Sequence, residues 1–151
     1  MRRWLALLLA LVAGGATVAI GYALDDAASA DTHVEYGPGL RTVRIGIQYS
    51  KFSTDEVHVV AGQTVRFVVR NDDPINHEFI VGDASVHLRH ERGTESAHPP
   101  VPGEVSVGPD DTGVTLYTFD RPGRYLFACH LPGHFAFGMR GYVVVDAAPA
   151  T

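Results

Sequence analysis

Short runs in which apolar and polar residues alternate make up most of the chain from Thr32 onward, and this pattern predicts β-strands. In the clearest run, Val65, Phe67 and Val69 alternate with more polar positions, as expected of a strand with one face in a core and the other in water. The predicted strands are rich in β-branched and aromatic residues, and they cover residues 42–50, 56–60, 64–71, 77–82, 114–119, 123–130 and 141–145. The sequence therefore predicts an all-β fold, a Greek-key antiparallel β-sandwich.

Residues 83–113 depart from this pattern, because the segment is too long for a hairpin loop. Asp83 is suited to cap a short helix reaching about Arg92, which places His87 and His90 three residues apart on one helix face. A segment of this length inside a compact domain is usually functional or mobile. We therefore expect a long, partly helical insertion.

The N-terminal residues 1–30 are organised differently from the rest. Two arginines precede an uncharged run over residues 4–24, and a small-residue pattern follows at 28–30, an order typical of an export signal. The run is also long enough to span a bilayer, so cleavage and retention as an N-terminal membrane anchor both remain open. Either outcome leaves residues 31–151, a single domain, in the periplasm or on the outer face of the cytoplasmic membrane.

Composition narrows the classes of partner. The chain has 151 residues, of which 46% are hydrophobic and 19% charged, which is enough to bury the core of one domain. Its net charge is −5, and acidic and basic residues are interspersed. The sequence therefore lacks the basic stripe with which nucleic-acid-binding proteins neutralise phosphate groups. We expect a monomer without a nucleic-acid partner.

The stretch ACHLPGHFAFGMRG, residues 128–141, contains the only cysteine of the chain, Cys129. An unpaired cysteine is exposed to oxidation outside the cytoplasm, so its presence requires a reason. An inert buried thiol or a nucleophile would explain the cysteine alone, but neither explains His134 five residues later and Met139 five after that. A thiolate at a strand end, an imidazole in the turn and a thioether at the next strand can converge on one metal ion, because the hairpin loop folds back over its start.

Two histidines, one cysteine and a weak axial methionine form the ligand set of copper in electron transfer. His77, at the start of the strand in PINHEFIVG, is the candidate for the second imidazole, since a sandwich can bring it to the same end as Cys129. A binuclear copper site needs a second cysteine, and a structural zinc site favours more thiolates. No zinc-protease motif is present, and we expect no enzyme activity.

At these residues the sequence resembles the cupredoxins, the blue-copper family, over about residues 56–145. The resemblance lies in VVAGQTVRFVVRN, in NHEF and in the spacing Cys-x4-His-x4-Met from Cys129 to Met139. It implies one type 1 copper ion with His77, Cys129 and His134 as equatorial ligands and Met139 as the long axial ligand. The insertion at 83–113 departs from the small members of the family, which leaves partner and role open.

The resemblance implies an exported protein that carries single electrons by Cu(I)/Cu(II) cycling. The alternative is a copper-binding protein for tolerance or delivery, in which the metal is cargo. An apolar patch near His134, Phe135 and Phe137 predicts brief docking of a redox partner protein. His130 is expected to point away from the copper. The histidines of the insertion suggest a second, weaker copper site at His87, His90 and His98.

Overall fold

The computed structural model describes residues 39–93 and 99–149, so the predicted export signal and His98 lie outside the described residues. The described part of the chain forms nine strands and one helix. In chain order these are β1 (Leu40–Gln48), β2 (Lys51–Phe52), β3 (Glu56–Val60), β4 (Gln63–Asn71), β5 (His77–Gly82), α1 (Ala84–Glu91), β6 (Glu104–Val107), β7 (Thr112–Phe119), β8 (Gly123–Ala128) and β9 (Arg140–Asp146). None of the described helical segments has the length and apolar character needed to cross a membrane.

The strands form two sheets, ordered β2-β1-β4-β7 and β3-β9-β8-β5-β6. The predicted β-sandwich is confirmed, with one correction: β1 pairs parallel to β4, and β3 pairs parallel to β9, so the sheets are mixed rather than antiparallel throughout. The chain passes through β3 in the second sheet before it returns to the first as β4. This crossover provides the long connection that a parallel pair requires.

The insertion contains more regular structure than its sequence suggested. Helix α1 begins where predicted, since the Asp83 side chain accepts hydrogen bonds from the backbone N–H groups of Ser85 and Val86. The segment also contributes β6, which pairs with the edge of β5 and which the sequence pattern did not reveal. Val105 and Val107 of this short strand are buried in the core.

The core between the sheets is built around four fully buried phenylalanines, Phe67, Phe79, Phe119 and Phe127. The ring centroid of Phe79 lies 4.9 Å from that of Phe67 and 5.4 Å from that of Phe127. Gly141 of β9 makes room for this packing, because an added Cβ would lie 2.3 Å from Cζ of Phe127. The aromatic core therefore fixes β5 against β8, whose adjoining residues supply the candidate site.

Candidate metal centre

His77, Cys129 and His134 converge, with one candidate ligand atom from each lying within 4.8 Å of the others. His77 opens β5, Cys129 directly follows β8, and His134 lies in the connection between β8 and β9. The sulfur of Cys129 is 3.2 Å from Nδ1 of His134, and the rings of His77 and His134 are 4.8 Å apart between centroids. Three of the four predicted ligands, from separate parts of the chain, thus form one cluster.

Backbone hydrogen bonds close the loop that carries these residues. The N–H of Cys129 donates to the carbonyl of Met139 at 3.1 Å, and the N–H of Met139 donates to the carbonyl of His134 at 3.0 Å. Gly133 turns the loop with φ of +85°, a conformation that favours glycine. The Cys-x4-His-x4-Met spacing therefore corresponds to a loop whose two ends are hydrogen-bonded together.

Met139, the fourth predicted ligand, is fully buried and belongs to the same core cluster as Cys129. Its backbone is hydrogen-bonded to both Cys129 and His134, so the residue lies beside two of the three converging residues. Its role as a ligand stays a prediction.

The orientation of His77 is fixed by Asp73, whose Oδ2 lies 2.9 Å from Nε2 of the imidazole. Although burial opposes ionisation, hydrogen bonds from the backbone N–H groups of Ser50 and Tyr49 hold the pKa of Asp73 below its ordinary value. An ionised carboxylate only accepts, so the His77 proton sits on Nε2. Nδ1 then presents a lone pair that is buried and has no hydrogen-bond partner.

This unpaired nitrogen tests whether the residues suit a metal. A buried polar atom without a partner is unfavourable, whereas a metal-binding imidazole regularly donates its other N–H to a carboxylate. One thiol and two imidazoles form a soft, nitrogen-rich donor set suited to copper. The residues therefore fit the copper ion that the sequence implied.

Burial also sets the protonation of the Cys129 sulfur. It raises the pKa of the Cys129 thiol to about 11, so in the metal-free protein the thiol is protonated at neutral pH. Burial lowers the pKa of His77 below its ordinary value, so this imidazole is neutral at the same pH. A metal ion at this position must therefore displace the proton of the thiol.

The histidines of α1 do not join this cluster. His87 lies 2.8 Å from His130 between Nδ1 and Nε2, and His90 lies 2.9 Å from Glu104 between Nε2 and Oε2. The ring of His130 is thus directed toward α1, as expected. Burial, with contributions from His87 and His90, lowers the pKa of His130 to about 4, so this ring is neutral at pH 7.

Sequence reasoning missed the buried acidic residues around the two histidine groups. Asp73 lies between two predicted strands, Glu78 lies in a predicted strand and Glu104 in the insertion, and the sequence pattern gives none of them a partner. The available signal was a carboxylate beside an apolar run, as in HEFIVG, where both faces of the strand prove to be buried. A strand buried on both faces requires partners for any charged residue that it contains.

The surface near the cluster is partly apolar. Phe137 is 79% exposed, whereas Phe135 is half-buried and stacks on His130 with ring centroids 5.2 Å apart. Tyr49 and Ile75, which the sequence analysis did not include, are also exposed. The backbone N–H of Tyr49 donates to Asp73, and Ile75 follows Asp73 by two residues in the chain. Of the predicted docking residues, Phe137 offers the largest apolar surface to solvent.

Comparison with known proteins places this geometry in a family. The family described as "Copper binding proteins, plastocyanin/azurin family" matches residues 42–146. The copper-resistant cuproprotein CopI of Rubrivivax gelatinosus is 37% identical over 109 residues, which cover 70% of this chain and 66% of that protein. The match thus spans just under two thirds of that relative's length.

Two solved structures share the fold. Reduced auracyanin from Roseiflexus castenholzii superposes with a TM-score of 0.59 at 22% identity, covering 73% of this chain and 98% of that one. Auracyanin A, a "blue" copper protein from Chloroflexus aurantiacus, has a TM-score of 0.57 at 25% identity, covering 72% and 100%. With its β-sandwich, its cluster of a cysteine and two histidines, and a family match over most of its length, the chain belongs to the plastocyanin/azurin family of copper-binding proteins.

Proposed function

We propose that this protein is an exported type 1 copper protein that carries single electrons. Nδ1 of His77, the sulfur of Cys129 and Nδ1 of His134 bind one copper ion, with Met139 as the weak axial ligand. The observation that carries the proposal is the convergence of one candidate donor atom from each of these three residues within 4.8 Å, together with the buried Nδ1 of His77 that has no hydrogen-bond partner. Copper bound there supplies a one-electron change between Cu(II) and Cu(I).

The surrounding residues suit a site that changes little when its charge changes. Asp73 holds His77, and the closed loop holds Cys129 and His134 in place. Buried Cys129 and Met139 exclude water, whereas His134 is only half-buried and reaches toward the surface. A rigid, dry donor set limits the rearrangement that accompanies electron transfer.

Electrons are proposed to pass through the edge of His134 to a partner protein that docks on Phe137, with Phe135 beside it. Exposed aromatic surface next to a redox site suits the small, transient interfaces of electron-transfer complexes. Location outside the cytoplasmic membrane is supported by the order of residues 1–30, which is typical of an export signal. We propose a monomer without enzyme activity of its own.

The alternative function is copper tolerance or delivery with the metal as cargo, and the name of the Rubrivivax relative, copper-resistant cuproprotein, favours it. The two functions differ in whether copper stays bound during a redox cycle. We expect the copper-loaded protein to be reduced and reoxidised repeatedly beside a cuprous chelator without losing metal. Transfer of the copper to the chelator on the first reduction would contradict the carrier function and favour the cargo function.

Replacing Asp73 with asparagine is expected to weaken copper binding about 10- to 100-fold, since outer carboxylates orient the ligating imidazole. The reduction potential should rise as well, because removing a negative charge beside the metal disfavours Cu(II) relative to Cu(I). Equilibrium redox titration and competition with a chelator measure the two effects.

Asp72→Asn is the matched control, because Asp72 is exposed and pairs with Arg70 rather than with His77. It should leave affinity and potential close to those of the wild type. Equal shifts in the two variants would mean that Asp73 acts only through its negative charge and not through its contact with His77.

Copper binding is expected to release one proton per ion near neutral pH. Since the pKa of Cys129 is about 11 and His77 is already neutral, the proton comes from the thiol. The sign follows directly: between neutral pH and about pH 11, each unit rise in pH should raise the affinity about tenfold. Calorimetry in buffers of different ionisation enthalpy counts the protons, and release of none would mean that the thiol is not a ligand.

A further inference from the structure

A second group of imidazoles and carboxylates lies where α1 packs beside β5 and the end of β8. His87 and His90 come from α1, His130 follows Cys129 in the chain, and Glu78 follows His77. Glu104 of β6 completes the group. His87, Glu78 and Glu104 are all buried, and a small domain gains little from burying so many polar side chains unless they have a ligand or a complete network.

The hydrogen-bond partners of His87 and His130 determine which ring nitrogen of each residue carries the proton. Nε2 of His87 lies 3.1 Å from the carbonyl oxygen of Leu126, which only accepts, so His87 carries its proton on Nε2. Its Nδ1 therefore presents a lone pair to Nε2 of His130, 2.8 Å away, and His130 donates the shared proton. Nδ1 of His130 is left buried without a hydrogen-bond partner.

Carboxylates border this pair of imidazoles. Oε1 of Glu78 accepts from the backbone N–H of His130 at 2.7 Å and lies 4.0 Å from Nδ1 of His90. Glu104 pairs with Nε2 of His90 and also with Arg89. Two carboxyl groups thus lie in the same group of side chains as the facing imidazoles, and carboxylate oxygens are suitable ligands for a bound cation.

We propose that these residues form a second metal site, in which a cupric ion replaces the proton shared by Nδ1 of His87 and Nε2 of His130. In this proposal His90, whose ring centroid is 6.0 Å from that of His130, and Glu78 complete the ligand set. On binding, the displaced proton moves to the partnerless Nδ1 of His130, so the ring remains neutral. Imidazole and carboxylate donors without sulfur bind Cu²⁺ more tightly than the other divalent first-row ions.

The geometry needs only a small adjustment. Metal–nitrogen bonds of about 2.0 Å place two coordinating nitrogens roughly 3 to 4 Å apart, so the 2.8 Å contact must open by about 1 Å or less. This ligand set keeps His87 and His90 from the sequence-based expectation and adds His130, whereas His98 lies outside the described residues.

The packing of α1 on the sheet also gives an ion access to the proposed second site and places that site next to the first. A cavity of about 460 Å³, lined by His87, Glu91 and Arg124 among others, lies between α1 and the strands β8 and β9. It offers the ion a route to His87 from solvent. Because His130 follows Cys129 directly in the chain, the two proposed sites are connected by one peptide bond. The second site does not depend on the function proposed for the first.

The test is the number of cupric ions bound per chain after desalting, measured on the purified full chain with visible absorption and electron paramagnetic resonance. The wild type should bind two ions, the second without thiolate absorption. His87→Gln and His90→Gln should each bind one ion and keep the absorption of the first site, which also reports that they are folded. His58→Gln is the matched control, since His58 is exposed on β3 and pairs with Glu56; it should still bind two.

Cys129→Ser separates this proposal from the proposed function, because it removes the thiolate and leaves the second site intact. It should bind one cupric ion more than the double variant Cys129→Ser/His87→Gln, because His77 and His134 remain in both and only the second site differs. A wild type that binds one ion, or a His87→Gln variant that still binds two, would overturn the second site. Should His87→Gln fail to fold, His90→Gln decides, and two ions bound by that variant would also overturn the second site.

Discussion

Replacing Cys129 with serine is expected to abolish the intense visible absorption of the copper-loaded protein while leaving the fold intact. The absorption requires a thiolate bound to Cu(II), and a serine hydroxyl is neither a soft donor nor ionised at neutral pH. The substitution changes one buried atom for a smaller one, so the β-sandwich should persist. Visible spectroscopy and circular dichroism of the copper-loaded variant measure the two properties.

Met139→Leu is the matched comparison, because it keeps the volume of a buried side chain and removes only the weak axial donor. It should retain the visible absorption, since the three strong ligands remain. A coloured Cys129→Ser variant would place the copper elsewhere. Loss of colour in both variants to the same degree would mean that the core, rather than the thiolate, governs binding.

Replacing Phe79 with alanine is expected to lower the free energy of unfolding by about 3–5 kcal/mol, the largest effect on stability among these substitutions. Phe79 is fully buried and contacts the rings of Phe52, Phe67 and Phe127 at centroid distances of 5.8, 4.9 and 5.4 Å. Its removal leaves a cavity that these rings can fill only in part. Urea denaturation of the metal-free protein measures the change.

Phe137→Ala provides the control for residue type, since its ring is 79% exposed. The free energy of unfolding should change by no more than about 0.5 kcal/mol. Because domains are stable by about 5–15 kcal/mol, the Phe79 variant should also bind copper less well at raised temperature. A loss of less than about 1 kcal/mol on Phe79→Ala would contradict the packing described for the core.

Local periodicity made much of the fold predictable. Alternation at Val65, Phe67 and Val69 correctly identified the inward face of β4, because side chains on a strand point alternately to the two faces. The spacing from Cys129 to His134 correctly indicated that the two side chains lie close together, because a short loop with hydrogen-bonded ends restricts the positions of its residues. The distant His77 required both the ligand chemistry and the resemblance to a family.

Features that depend on tertiary packing were not predictable in the same way. The parallel pairs β1–β4 and β3–β9 arise from the crossing of the chain between sheets, which no local pattern records. Asp73 contacts His77 only because the turn at Tyr49 and Ser50 holds its carboxylate in place. The approach of His130 to His87 likewise depends on how α1 docks on the sheet.

We propose that His77, Cys129 and His134 bind one copper ion, with Cys129 as a thiolate. Titration of the purified chain with cupric ion, followed by visible absorption and by alkylation of the remaining thiol, measures this binding. We predict that intense absorption grows up to the first equivalent while Cys129 becomes fully protected from the alkylating agent. A protein that stays colourless with excess cupric ion, and whose thiol reacts as it does without metal, would contradict the claim.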